Sequence, residues 1–126
     1  MGWRSGPVRG TTRRSVTCDP WDVVVVPFPF TERPGAKRRP AVVLSNREFN
    51  RHGHTILAMI TTRAHRPWPG DTEIADLEAS GLEVPCIIRL KLFTLDNRLV
   101  LRRLGRLSAA DREGAGSESP LFPSLP

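Results

Sequence analysis

Short apolar runs, separated by Gly, Pro, Asn and Asp, follow one another along the middle of the chain and are rich in Val, Ile and Thr. Such runs are typical of β-strands joined by tight connections. The sequence predicts strands at Val23–Val26 with Phe28 and Phe30, Ala41–Ser45, Thr55–Thr61, Asp71–Ile74, Val84–Phe93 and Leu99–Leu107. It predicts loops at Thr31–Arg38, Asn46–His54 and Arg63–Gly70. The last two strands are expected to pair as a hairpin around Asp96 and Asn97.

Helical signals are few. Leu77–Gly81 predicts a single helical turn. Ser108 and Asp111 match a capping box and begin a helix, which Gly114 and Gly116 should end within about two turns. Many short strands with one or two short helices predict a mostly β fold, a small SH3-like barrel that is partly open.

The length of 126 residues fits one domain, because a second folding unit would have too small a core. We expect the barrel domain at residues 21–112. Residues 1–20 are basic, rich in Gly, Ser and Thr, and without periodicity, so they predict a disordered arm. Residues 113–126, rich in Gly, Ser and Pro, predict a disordered tail.

Composition narrows the functional classes. Lys and Arg number 19 against 13 Asp and Glu, which gives a net charge of +6. This excess is expected of a protein that binds nucleic acid or another polyanion, although a merely basic surface would give the same count. No apolar run is long enough to cross a bilayer and no signal peptide precedes the domain, so we expect a soluble cytoplasmic protein without membrane contact.

Neither a metal site nor a cofactor is expected. The two cysteines, Cys18 and Cys86, lie far apart and match no ligand or disulfide pattern, which suits a reducing cytoplasm. His52, His54 and His65 are not accompanied by Cys or carboxylates at ligand spacing.

A cationic segment precedes the second apolar run. Pro40 pushes Arg39 toward extended backbone and cannot itself donate to a ladder, so we expect Arg39 at a strand entrance and not inside the sheet. A side chain in that position is able to face a ligand. Taken alone, Lys37, Arg38 and Arg39 favour a solvated run of loop charges over a binding site.

Successive side chains of the strand Ile87–Phe93 differ in chemical character. Period two predicts one apolar face and a second face with two cations beside a ring, formed by Arg89, Lys91 and Phe93. Cations beside a ring suit single-stranded nucleic acid, but an ordinary solvated face with Phe93 under a loop remains the alternative. Trp68, between two prolines, either stacks on a base or anchors its own loop.

Five segments in order carry a resemblance: Asp22–Thr31, Lys37–Ser45, Ile56–Thr61, Arg89–Asp96 and Leu104–Ser108. Over about residues 21 to 112 the chain resembles the MazF/PemK family of toxins from bacterial toxin–antitoxin pairs. The resemblance implies a dimeric SH3-like barrel that cuts single-stranded messenger RNA without a metal. It also implies a cognate antitoxin whose extended segment occupies the RNA groove, and operator DNA as a partner only of the toxin–antitoxin complex.

The resemblance places catalytic roles on Arg39 and Thr61. A guanidinium and a hydroxyl at the phosphate suit cleavage by the 2′-hydroxyl of the RNA, because charge develops on the phosphate oxygens in the transition state. Substrate binding is predicted for Lys37, Arg38, Thr62, Arg63, Arg89, Lys91 and Phe93.

The chain departs from the family pattern at three places. Lys91 stands where some members have the Asp of an Arg-x-Asp motif, Trp21 stands where Gly is usual, and the last helix is expected to be short. The alternative function is therefore a non-enzymatic protein of the same fold, either a gyrase-poison-like toxin or an inactive relative that binds antitoxin and operator DNA.

Overall fold

The computed structural model describes residues 17–29, 37–62 and 66–118. Within them lie six strands and three α-helices: β1 Asp22–Phe28, β2 Lys37–Val43, α1 Arg47–Asn50, β3 His54–Thr62, β4 Thr72–Glu73, α2 Leu77–Ser80, β5 Cys86–Asp96, β6 Arg102–Arg106 and α3 Ala109–Glu118. A 3₁₀ turn, Asn97–Leu99, follows β5. The first 16 residues of the predicted basic arm, the residues from 30 to 36, Arg63 and the tail beyond 118 lie outside the described residues.

The strands form one antiparallel sheet in the order β4-β5-β3-β2-β1-β6, curled into a half-barrel. The prediction of a mostly β, SH3-like, partly open barrel is confirmed. The predicted hairpin of the last two strands is wrong: β5 pairs with β3 and β4, whereas β6 crosses to pair with β1. The 3₁₀ turn after β5 redirects the chain, and the Leu101 N–H then donates to the Val25 carbonyl at 2.8 Å.

Both faces of the sheet bury apolar side chains. The first core cluster consists of Val23, Val42, Leu44, Ala58, Ile60, Ile74, Cys86, Ile88, Leu107 and Ala115. The second core cluster consists of Cys18, Val24, Val26, Ala41, Val43, Leu57, Leu95 and Val100. Neighbouring residues of β1, β2 and β3 alternate between the two clusters, which explains why these strands are apolar at nearly every position.

Two element boundaries differ from the sequence prediction. β2 begins at Lys37, so Arg39 lies inside the strand, where its Cα is paired with that of Val26. The predicted loop after β2 contains α1, which is capped by the Asn46 side chain accepting from the Phe49 N–H at 2.8 Å.

Buried polar groups hold α1 in place. The Asn50 side chain donates to the carbonyls of Cys18, at 2.8 Å, and Ser45, at 3.0 Å. The backbone carbonyl of Asn50 accepts from the Asn97 side chain at 2.7 Å. Because an unpaired buried amide would be costly, this network fixes how α1, the 3₁₀ turn and the segments at Cys18 and Ser45 meet.

Helix α3 is longer than predicted. The Asp111 N–H donates to the Ser108 hydroxyl at 3.1 Å, as a capping box requires, but the buried Asp111 carboxylate serves another element. It accepts from the backbone N–H groups of Ala75 and Asp76, both at 2.9 Å. Gly116, expected to end the helix, lies inside it.

Trp21 has a φ of 73°, in the left-handed region that favours glycine. Its N–H donates to the Val43 carbonyl at 2.7 Å, and its carbonyl accepts from the Leu107 N–H at 3.0 Å. The backbone at this position therefore has a conformation for which Gly is the favoured residue, although Trp21 stands here. The Trp21 side chain, which packs against the first core cluster, offsets the strain.

Both cysteines are buried and unpaired, and burial raises the pKa of the Cys18 thiol to about 11. Burial also raises the pKa of the Cys86 thiol, so each thiol is protonated at neutral pH. In the described part of the chain, no helix combines the length and the apolar character that crossing a bilayer requires.

Candidate nucleic-acid interface

The register of β2 and β3 places Arg39 and Thr61 opposite each other on neighbouring strands. The two strands pair at Ala41 with Met59, Val42 with Ala58 and Val43 with Leu57. Continuing this register by two residues sets Arg39 opposite Thr61. Directly opposed residues point to the same face, here the face of the second core cluster, to which Ala41 and Leu57 belong.

The ladder between β2 and β3 ends just before this pair. Lys37–Pro40 still pairs with β1, and Ile60–Thr62 still pairs with β5, but no pairing of β2 with β3 continues past Ala41 among the described residues. Pro40 has no N–H to give to such a ladder. Both Arg39 and Thr61 are half-buried, so their polar ends stay within reach of a ligand at the place where the strands part.

A ring lies under the guanidinium of Arg39. Its Cζ is 5.2 Å from the centroid of Phe28, which pairs with Lys37 at the end of the β1–β2 ladder. By strand alternation, Phe28, Lys37 and Arg39 share one face. This contact orients the guanidinium without using its N–H donors, which stay available to an anion.

Alternation separates other predicted site residues from this face. Arg38 and Thr62 are each one residue from Arg39 and Thr61, so both point to the opposite face, where both are exposed. Arg63, also predicted to bind substrate, lies outside the described residues.

A bulge of two residues interrupts β5 without changing the predicted faces of the strand. Ala58 pairs with Leu92 but Met59 pairs with Arg89, so Leu90 and Lys91 are extra residues without partners on β3. Past the bulge, Leu92 is exposed and Phe93 packs against the second core cluster. Phe93 therefore keeps the face of Arg89, as alternation predicts, and its ring is half-buried. Its role in substrate binding stays a prediction.

Arg89 is engaged by a carboxylate that the sequence analysis did not single out. Its Nε donates to one oxygen of Asp71 at 3.2 Å and its Nη2 donates to the other at 2.9 Å. The side chains are only 16% and 17% exposed, so the pair is shielded from water. Hydrogen bonds from Arg89 lower the pKa of Asp71, and Asp71 in turn raises the pKa of Arg89. A carboxylate thus lies beside this Arg although position 91 holds a Lys.

The same pair fixes the loop that carries Trp68. The Asp71 carboxylate accepts from the Trp68 N–H at 2.9 Å, and Arg89 Nη2 donates to the Arg66 carbonyl at 3.1 Å. Lys91 Nζ lies 4.5 Å from the ring centroid of Trp68. At an exposed site such a contact stabilises by about 0.5–1 kcal/mol. No carboxylate pairs with Lys91 among the described residues.

The Asp71–Arg89 pair makes stability depend on pH. The pKa of Asp71 is lowered in the folded chain, so the ionised carboxylate stabilises the fold above its ordinary pKa, and this stabilisation is lost as pH falls through the lowered value. We expect Asp71→Asn to lower the free energy of unfolding at pH 7. The difference from the wild type should shrink below about pH 4. Urea unfolding at pH 3, 5 and 7 measures this, and a difference that does not change with pH would show that the charge is irrelevant.

Groups of three or more His, Cys, Asp or Glu side chains that would hold a metal ion are absent from the described residues. His52 and His54 are both exposed, and His65 lies outside the described residues. The chemistry on this face comes from guanidinium, ammonium, hydroxyl and aromatic groups.

The fold and this face define a small half-barrel with a cationic, partly aromatic surface at the end of its central strands. The profile of the PemK-like, MazF-like toxins of type II toxin–antitoxin systems matches residues 19–114. The chain belongs to this family.

Several solved structures share the fold at low identity. An endoribonuclease from a mycobacterial species, in complex with its cognate antitoxin, is 17% identical, with a TM-score of 0.64 over 86% of this chain and 97% of the other. MazE–MazF from Deinococcus radiodurans is 21% identical, with a TM-score of 0.65 over 88% and 100%. The Mycobacterium tuberculosis toxin MazF-mt6 is 19% identical, with a TM-score of 0.62 over 83% and 98%. No curated protein sequence gives a significant match.

Proposed function

We propose that this toxin is an endoribonuclease that cuts single-stranded RNA through attack by the RNA's own 2′-hydroxyl. The observation that carries the proposal is the alignment of Arg39 with Thr61 on one face, just past the end of the β2–β3 ladder. The endoribonucleases among the structural neighbours support it.

The reaction needs little from the protein except charge and position. The 2′-oxygen bonds to phosphorus, the bond from phosphorus to the 5′-oxygen breaks, and the products are a 2′,3′-cyclic phosphate and a 5′-hydroxyl. The 2′-hydroxyl loses its proton to solvent or a base, and the leaving 5′-oxygen gains one. Charge grows on the non-bridging oxygens in between, so Arg39 and the Thr61 hydroxyl stabilise the transition state more than the ground state.

The other residues of this face bind and orient. Lys37 lies on the same face as Arg39 and is exposed, so it is suited to a neighbouring phosphate. Lys91 is exposed as well, whereas Arg89 has its charge already compensated by Asp71. Asp71 is a poor base for the same reason, since its pKa is lowered. Arg38 and Thr62 point away and are left out of the proposed site, and Arg63 stays a prediction.

We further propose that the toxin works in the cytoplasm as a homodimer and is neutralised by a cognate antitoxin. Complexes of MazF with MazE among the structural neighbours support the antitoxin. Operator DNA would be bound only by the toxin–antitoxin complex.

The test is cleavage of a long RNA by purified protein in excess EDTA, followed by mapping of the ends. We expect cuts that leave a 2′,3′-cyclic phosphate and a 5′-hydroxyl. A single 2′-O-methyl group at the mapped position should block that cut, and an all-DNA strand should stay intact. Cleavage of DNA, or a strict need for a divalent metal, would contradict the mechanism. Binding of RNA without any cut would favour the non-enzymatic alternative.

A further inference from the structure

We propose that Trp68 and Lys91 form a nucleotide subsite, in which the indole ring stacks on one base of single-stranded RNA and the ammonium contacts the adjacent phosphate. The identity of the ligand rests on the proposed function. The site itself rests on an exposed ring, a cation that has no carboxylate partner among the described residues, and a loop held in one shape.

The loop is organised before any ligand arrives. The Trp68 N–H donates to Asp71 at 2.9 Å, and the Trp68 carbonyl accepts from the Asp71 N–H at 3.0 Å. Gly70, with a φ of 86°, lets the loop lie against the β5 bulge, since a Cβ there would come within 2.5 Å of Leu90. A ring on such a loop loses little freedom when it binds.

The loop has anchors besides the ring, whose centroid lies 5.9 Å from Arg89 Cζ. Trp68 is 40% exposed, and the loop is held by Asp71 and Arg89. A Trp that served only as an anchor would bury its ring. An exposed aromatic side chain that already has a preorganised backbone is therefore available to a ligand.

Lys91 is able to leave the ring when a base arrives. Stacking of one base on an aromatic side chain changes affinity by about 5- to 150-fold, whereas an exposed cation–π contact is worth about two- to fivefold. The base therefore displaces the ammonium, which has no carboxylate partner among the described residues and is free to contact phosphate. Arg89, held by two hydrogen bonds to Asp71, stays in place.

The subsite adjoins the proposed catalytic pair. Arg89 is paired with Met59, which lies two residues before Thr61 on the same face of β3. This separation is about 7 Å along the strand, with about 5 Å more across to β5. One RNA strand would therefore touch both places, and the surrounding charge favours a polyanion.

The experiment measures binding separately from cleavage. The probe is a labelled single-stranded oligoribonucleotide of mixed sequence, fully 2′-O-methylated so that it cannot be cut. We expect Trp68→Ala to weaken binding about 5- to 50-fold and Trp68→Phe to weaken it less than about threefold. Phe49→Ala is the matched control, because Phe49 is 44% exposed on α1 and should not contribute.

Fluorescence gives a second readout. Tryptophan emission of the wild type should be quenched as the probe binds, and this quenching should be absent in Trp68→Phe even though that variant still binds. Unchanged affinity in Trp68→Ala, or no quenching in the wild type, would overturn the proposal. The proposal would also be overturned if Trp68→Ala weakened binding to poly-glutamate as much as it weakened binding to the RNA probe. The surface would then serve an acidic polypeptide.

The outcomes separate the two proposals. If the wild type binds the probe through Trp68 but cuts no natural RNA, the subsite stands and the proposed function fails. If it cuts RNA but Trp68→Ala binds as well as the wild type, the function stands and the subsite fails.

Discussion

Replacement of Arg39 by Ala is expected to slow RNA cleavage by about two to four orders of magnitude. The loss is this large because the guanidinium is the main positive charge on the proposed transition state, and removal of one such contact has effects of this size. The fold should persist, since Arg39 contributes to the sheet through its backbone and its side chain is only half-buried. Single-turnover cleavage, with circular dichroism as the check on folding, measures the effect.

Arg38→Ala is the matched control for this prediction. It removes the same charge from the neighbouring position of β2, but from the opposite face of the sheet. Its cleavage rate should stay within about threefold of the wild type. If Arg38→Ala and Arg39→Ala lost activity equally, general charge and not the aligned pair would account for the reaction.

Gly105→Ala is expected to destabilise the domain by about 3 kcal/mol, or about 150-fold in the folding equilibrium. A Cβ at position 105 would lie 2.4 Å from the Ala79 carbonyl oxygen and 2.6 Å from the Ser80 carbonyl carbon. Both are backbone atoms of α2, so β6 and α2 would have to separate. Urea unfolding monitored by circular dichroism is the measurement.

Gly116→Ala provides the contrast. Gly116 lies within α3, and a Cβ there would meet nothing within 4 Å. Because Ala is the better helix former, this variant should be more stable by about 0.5–1 kcal/mol. Two Gly→Ala changes in one chain should thus shift stability in opposite directions. Destabilisation by both would show that α3 is not formed at Gly116.

Local patterns in the sequence predicted the strands better than their partners. The apolar runs of β1 and β3 were placed within a few residues, as was the helical turn at Leu77. The hairpin prediction was wrong because turn residues around Asp96 show that the chain turns but not where it goes. The path of the chain after the turn depends on Asn97. Its side chain is hydrogen-bonded to Thr55 and Asn50, which are more than forty positions away.

The sequence predicted the candidate site only in part. Arg39 and Thr61 followed from a family resemblance, and their alignment depends on a register that no single segment contains. Alternation correctly placed Phe93 on the face of Arg89, because the bulge at Leu90 and Lys91 adds two residues, but the pattern of the strand did not indicate the bulge itself. Asp71 was missed because its partner, Arg89, is 18 positions away on another strand.

The Asp111 carboxylate bears on where the folding unit ends. Two backbone N–H groups that precede α2 find their acceptors on α3, so the last helix completes the hydrogen bonding of a loop far earlier in the chain. The minimum length of the domain is consequently set by this side chain and by Ala115, one turn later, which is buried in the first core cluster. The folding unit therefore extends past the last strand, because α3 supplies both an acceptor for a distant loop and a part of the core.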